Sequence, residues 1–297
     1  MRIPEVTLQQ AVESKLDKTK KFLFKVKRDN TTLEVSHIDK DDGKDIICVP
    51  TQMGCNQGCL FCHMTGSRIS VVNLSSIAIY DAVCAVREHQ GMTGEKPLLI
   101  SYMGCGEPLC NAARLRTSMR ILQRDIPKVR FALATIMPKG CEAEWIRLGK
   151  FVKELSIDLK IHLSLHFTED EVRERWLPSA GKIGPSLHLL NWYRDFTGNK
   201  TEIHYAPIKE FNDTPADALA LAKLVGRNTV VKLLQFNEKP GLAVEASPDC
   251  NLENFESDLM VYGIATERYT PPGRDIGASC GQFDLQAYCD EVSDGRQ

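Results

Sequence analysis

The sequence predicts an α/β fold: a partial (β/α)6, TIM-like barrel with a small strand extension at its N-terminal end. Three observations carry that reading. From residue 72 onward, short apolar runs alternate with helical periodicity about six times over, as in a parallel sheet with right-handed crossovers. Before residue 50 the pattern is alternation of polar and apolar residues broken by polar turns. The motifs MGCGEP (103–108), SLH (164–166), FND (211–213) and FN (236–237) fall at or just past expected strand ends, the rim on which parallel α/β folds bind ligands. Periodicity alone leaves a doubly wound sheet open as the alternative.

In chain order, residues 1–20 read as a short helix or a partly ordered arm, and 21–49 as a small antiparallel strand set. A loop with clustered cysteines follows, in which Gly54 and Gly58 supply backbone freedom. Helices are expected over 76–90, 111–124, 143–155, 184–196, 215–225 and 252–262. Strands are expected over Pro97–Met103, Arg130–Thr135, Leu159–His166, Glu202–Pro207, Val230–Phe236 and 264–268. The division expected is 1–47 as a short extension and 48–297 as the core.

Composition narrows the function classes. The 297 residues are 43% hydrophobic and 26% charged, with a net charge of −2, so any contact with nucleic acid must come from a local patch. No apolar run approaches the roughly 20 residues of a membrane helix. The N-terminus lacks an apolar signal core, so a cytoplasmic monomer with no membrane partner is expected. Eleven cysteines in such a chain point to metal or redox chemistry rather than to disulfides.

Cys55, Cys59 and Cys62 form C-x3-C-x2-C. Three thiolates this close can grip one compact iron–sulfur cluster, and three ligands for four irons leave one iron open. The competing readings are a zinc site short of its fourth ligand, or simply buried cysteines. Zinc sites more often pair two such motifs, and His63 directly follows Cys62, a poor geometry for a fourth ligand. Cys48 and Cys280, read alone, are more often structural than reactive. The small residues Gly277, Ala278, Ser279 and Gly281 around Cys280 leave room for a ligand.

The cysteine motif, with an aromatic before its last cysteine and a (β/α)6-like chain after it, resembles the radical S-adenosylmethionine (SAM) superfamily. CVPTQMGCNQGCLFC, MGCGEPLCN, HLSLH, HYAPIKEFND, VKLLQFN and TERYTPPGRDIGASCGQ, in that order, resemble the motifs of the RlmN/Cfr class of RNA adenine methyltransferases. The likeness runs from about Lys18 to Phe283. It implies a [4Fe-4S] cluster on Cys55, Cys59 and Cys62, whose open iron binds S-adenosyl-L-methionine. It implies that Cys280 carries the methyl group and that Cys48 resolves the covalent intermediate through a transient disulfide. Glu34 matches the class's candidate base, though an exposed strand carboxylate is an equal reading. Gly106 and Glu107 would meet the SAM amino group, Ser164, Leu165 and His166 its ribose and adenine, and Asn212 its adenine or carboxylate region. The product would be an adenine methylated on carbon, C2 favoured over C8, in 23S rRNA, tRNA or both, with a flavodoxin-type or other electron donor. The same mechanism on a free nucleotide or small molecule is the alternative.

The sequence departs from the class at identifiable places. Residues 1–17 stand where the class has a longer helical accessory domain, so a truncated accessory region is expected. Cys105 replaces a methionine, Ala134 replaces a SAM-contacting serine, and FCHMTG is one residue longer than the usual loop. If RNA is the substrate, Lys15, Lys18, Lys20, Lys21, Lys25, Lys27 and Arg28, with Phe22 and Phe24 among them, would suit phosphate contact and base stacking; a solvated face is the commoner outcome for such a run. Arg173 and Arg175 are a second candidate. Cys84, Cys105, Cys110, Cys141, Cys250 and Cys289 receive no role.

Overall fold

The computed structural model describes residues 3–40, 43–279 and 281–282. Its first strands are β1 (Val6–Glu13), β2 (Thr19–Val26), β3 (Thr32–Asp39) and β4 (Asp45–Cys48), followed by the short pair β5 (Gln52–Met53) and β6 (Val72–Asn73). The repeating units then run α1 (Ser76–His89), β7 (Leu98–Tyr102), α2 (Ala112–Asp125), β8 (Val129–Thr135), α3 (Glu142–Glu154) and β9 (Leu159–Ser164). They continue through α4 (Asp170–Trp176), α5 (Ile183–Thr197), β10 (Thr201–Tyr205), α6 (Pro215–Val225), β11 (Val230–Leu234), α7 (Asp249–Val261) and β12 (Ala265–Tyr269).

One sheet holds ten strands in the order β1-β2-β3-β4-β7-β8-β9-β10-β11-β12. Strands β1 to β4 are antiparallel neighbours, whereas β4 pairs with β7 in parallel and every later pairing is parallel. The partial barrel therefore begins at β4, and the antiparallel strands extend its edge without a break in the sheet.

Strand alternation divides the parallel strands into two faces. Outward residues such as Ile100, Phe131, Leu133, Ile161, Leu163, Ile203 and Val231 are buried under the helices. The helices meet them with apolar stripes, among them Ala78, Ala82 and Val86 of α1 and Trp145, Leu148 and Val152 of α3. Buried aromatics satisfy their polar ends: Trp145 Nε1 donates to Leu189 O at 2.9 Å, and Tyr193 Oη to Leu159 O at 2.9 Å. Helix starts are capped as the sequence allows; Thr214 and Asp217 close a capping box around Pro215.

Several expectations are corrected. Of the stretch 1–20, the described residues 3–20 hold neither helix nor loose arm but β1 and the start of β2; the β-branched Val6, Thr7 and Val12 suit an edge strand, and Gln9, Gln10 and Glu13 leave it polar toward solvent. Phe22 and Phe24 cannot stack on bases: both are fully buried, and Phe22 meets His89 of α1 edge-on at 5.2 Å. Lys21 in the same run is buried as well. Strand β9 stops at Ser164, because His166 adopts a left-handed φ of +59°.

Arg173 is also not available to RNA. It is 1% exposed, on the unexpected helix α4, and its guanidinium donates to Ile136 O (2.9 Å), Leu165 O (3.2 Å), Ser164 O (3.2 Å) and Gly181 O. Ile136 and Leu165 follow the ends of β8 and β9, Ser164 ends β9, and Gly181 lies between α4 and α5. The planar fork of arginine serves these carbonyls at once, which a lysine point charge cannot. Arg173→Leu is expected to lower unfolding free energy by about 2–4 kcal/mol through these stranded carbonyls. Urea titration should show the midpoint falling with an unchanged slope, and Arg173→Lys recovering only part of the loss.

Candidate functional site

The C-terminal ends of the parallel strands surround a cavity. Cys55, Cys59 and Cys62 line it from the loop after β5, Gly106 and Glu107 from the turn after β7, and Ser164 and His166 from the end of β9. The cysteine loop is shaped by its own bonds: Leu60 N donates to Trp176 O at 2.9 Å, Thr65 Oγ1 to Cys59 O at 2.6 Å, and Lys239 Nζ to Thr65 O at 2.8 Å. Burial and the neighbouring Cys62 and Glu107 push the Cys55 thiol up to about 11, and burial pushes Cys59 and Cys62 up as well.

Glu107 is buried and caps a 3-10 turn, Pro108–Asn111. Its carboxylate accepts from Thr135 Oγ1 at 2.6 Å, Leu109 N at 3.1 Å and Ile136 N at 3.2 Å. Burial outweighs those bonds and raises its pKa to about 7. Gly106 before it has φ +97°, and a Cβ there would lie 2.6 Å from the Gln52 side chain, whose Oε1 accepts from Glu107 N at 2.9 Å. A side chain at position 106 would thus displace the residue that aims Glu107. His166 Nδ1 accepts from Ala206 N at 3.1 Å, and burial lowers the ring's pKa to about 3. The imidazole is neutral, with its proton on Nε2.

A second cavity of about 360 Å³ lies along the interior of the barrel. Glu34, Ser36 and Cys48 line it together with His162 and Ser279, and it shares Met103, Gly104 and His204 with the first. Glu34 is 7% exposed, so the reading of it as an exposed strand carboxylate is set aside. Cys280 and Cys289 lie outside the described residues. Residues flanking Cys280 are placed: Gly281 lines the first cavity, and Ser279 and Gln282 line the second. Their loop is pinned to the β1–β2 turn, with Gly273 N donating to Asp17 Oδ2 at 2.9 Å and Ser14 Oγ to Asp275 Oδ1 at 2.7 Å.

No protein-family model matches the chain. A dual-specificity RNA methyltransferase RlmN from Syntrophotalea carbinolica is 32% identical over 292 residues, spanning 95% of this chain and 74% of that protein. The protein of the same name from Nautilia profundicola is 33% identical over 281 residues, spanning 90% of this chain and 78% of its own. The chain belongs to the RlmN family. Its fold matches a radical SAM methyltransferase from Sphaerobacter thermophilus with a TM-score of 0.81 at 24% identity, over 95% of this chain and 82% of that one.

In this RlmN-family chain the first cavity gathers seven of the residues expected around the cofactors. Leu165 and Asn212 do not line it. Leu165 is fully buried. Asn212 stands behind the wall, its Nδ2 donating to His166 O at 2.8 Å and Ala206 O at 3.1 Å, and its Oδ1 accepting from Ile208 N at 2.5 Å. Sequence reasoning missed Gln52 and Thr135, which hold Glu107; the only signal was their nearness to expected strand ends. It also missed Phe61 as a wall, whose ring meets His166 edge-on at 5.2 Å.

The three cysteines fit an iron–sulfur cluster in the chemistry of their donors: they open on one cavity and offer three thiolates, the ligands that hold such clusters. Alanine at any one of Cys55, Cys59 or Cys62 is expected to abolish retention of iron and sulfide after anaerobic reconstitution, as read by chemical analysis. Asn212→Ala is expected to cost about 1–3 kcal/mol of stability by stranding buried backbone groups. A weaker SAM affinity with unchanged thermal unfolding would show instead that Asn212 touches the cofactor.

Proposed function

We propose that this chain methylates a ring carbon of adenine in RNA, 23S rRNA or tRNA or both, with C2 favoured over C8. It would use a [4Fe-4S] cluster, S-adenosyl-L-methionine and a flavodoxin-type or other electron donor. The observation that carries the reading is the pair of joined cavities, one holding the three cysteines with Glu107 and the other holding Cys48 and Glu34. The names of the RlmN relatives support RNA as the substrate. When bound, the cluster and SAM would supply a methyl group and a 5′-deoxyadenosyl radical that takes a hydrogen atom from a methyl group.

The chain's residues divide the remaining work. Cys55, Cys59 and Cys62 would hold the cluster. Glu107, ringed by donors, would meet the SAM ammonium, and neutral His166 would border its adenosine. Cys280 carries the methyl group as a thioether. An aromatic C–H carbon is not nucleophilic, so direct displacement on SAM fails there and the carbon must be joined to Cys280 through the activated methyl. Glu34 takes the ring proton, and the unpaired electron left on the adduct would return to the cluster, which would have supplied one electron to SAM. Cys48, as a thiolate, attacks the Cys280 sulfur: an S–S bond forms, the carbon–sulfur bond breaks with its electrons passing to the base, and a proton completes the new methyl group. Cellular thiols then reduce the disulfide.

Mass spectrometry of nucleosides from RNA incubated with reconstituted enzyme and SAM should show 2-methyladenosine. Cleavage of SAM with no methyladenosine in any RNA would refute the RNA reading. Cys48→Ala should leave a covalent RNA–protein adduct on the peptide containing Cys280, visible on a denaturing gel; release of product at the normal rate would remove Cys48 from the resolving step.

A further inference from the structure

The second cavity has a chemistry that the site residues do not use. Lys44 precedes β4, Lys200 precedes β10, Arg130 and Lys160 stand second in β8 and β9, and Lys232 stands third in β11. All five line the same cavity as Cys48 and Glu34. They sit at the N-terminal mouth of the barrel, opposite the cysteine loop. Above them the inward positions of β8 and β9 are small or polar, Ala132, Ala134, His162 and Ser164, while Ile46 of β4 and Leu99 of β7 are apolar. An ordinary parallel barrel fills this interior with branched apolar side chains. Here the lumen stays open.

Ion pairing does not exhaust these cations. Arg130 meets Asp158 at 2.6 Å, Lys160 meets Glu202 at 2.5 Å and Lys232 meets Glu267 at 2.9 Å. Lys200 has no ion pair among the described residues. Lys232 Nζ also lies 4.6 Å from the centroid of Tyr269, an aromatic wall of the same cavity. A second observation points to a ligand from within: His204 is 6% exposed, its Nε2 has no hydrogen-bond partner among the described residues, and it lines both cavities.

We propose that RNA enters through this N-terminal mouth as a single unstacked strand, with Arg130, Lys160, Lys200 and Lys232 holding the phosphates on either side of one flipped adenosine whose base lies between Tyr269 and His204. The inference rests on the RNA reading above and adds the route and the phosphate clamp. Enzymes that act on a base must take it out of its stack, and a cationic lumen with an aromatic face suits the extruded base and its backbone together. The N-terminal basic run is not the clamp, since part of it is buried.

The probe is oligo(U) with one central adenosine, its affinity followed by fluorescence anisotropy over a range of salt. The double variant Arg130→Gln, Lys200→Gln should bind more weakly and lower the slope of log K against log salt by about 1.4, or 0.7 for each lost phosphate contact to a single strand. Lys27→Gln with Arg28→Gln should leave the slope as in the wild type. Lysine acetylation of the wild-type protein, read by mass spectrometry, keeps the test independent of how the variants fold: the oligonucleotide should protect Lys160, Lys200 and Lys232 but not Lys27. Wild-type binding with an unchanged slope in the Arg130, Lys200 variant and no protection at the mouth would overturn the clamp while leaving the RNA reading intact. No binding by the wild type to this probe or to folded rRNA and tRNA fragments would overturn both.

Discussion

The structure depends on one constraint: in each parallel strand, successive side chains face opposite ways, and this chain spends only one of the two faces on its core. The outward face carries Ile, Leu, Phe and Val beneath the flanking helices, and that burial is the main stabilising contribution. The inward face carries lysine, histidine, serine and alanine beside Ile46 and Leu99. A fully packed barrel would be more stable and would have no room for a base or a cofactor. The helices therefore carry stability that the interior gives up, which is why their stripes are so completely buried.

An open lumen leaves the strand ends short of partners, and the rim is held by side chains that reach back to it. Arg173 donates to the carbonyls of Ile136, Ser164, Leu165 and Gly181. Asn212 ties the turn after β9 to the turn after β10. Glu107 accepts from the end of β8 while capping its own turn. Each is a buried polar group whose hydrogen bonds offset its desolvation, so each fixes geometry as much as it contributes energy. The N-terminal strands have a related role: the β1–β2 turn, through Ser14 and Asp17, holds the loop that precedes Cys280.

Much of this was legible in the sequence. Alternation located the parallel strands within a residue or two, and the cysteine spacing named three residues that do share a cavity. What stayed hidden has physical causes. Residues 6–13 are too few and too polar to separate an edge strand from a helix by periodicity. Phe22 and Phe24 looked available for stacking because local charge says nothing about which strand face meets α1. Arg173 and Asn212 read as ligand contacts because their partners are backbone carbonyls distant in sequence, which no side-chain pattern records. The cation ring at the barrel mouth was equally invisible, since its members come from five separate strands or their approaches and meet only when the sheet curves.

The joining of the two cavities follows from a single missing side chain. At Gly104 a Cβ would lie 2.8 Å from the backbone nitrogen of Pro50 and 2.9 Å from the carbonyl carbon of Val49. Backbone cannot yield at that distance without moving a strand end. Only glycine lets the turn after β7 lie against the chain leaving β4, where Gly104 N donates to Val49 O and Thr51 N to Cys105 O. That contact brings the strand ending in Cys48 beside the motif that carries Glu107. A methyl group at position 104 would drive the two apart, separating the residue proposed to resolve the adduct from the cavity proposed to generate it. Gly106 makes the neighbouring cofactor wall, but it is Gly104 that makes the two cavities one site.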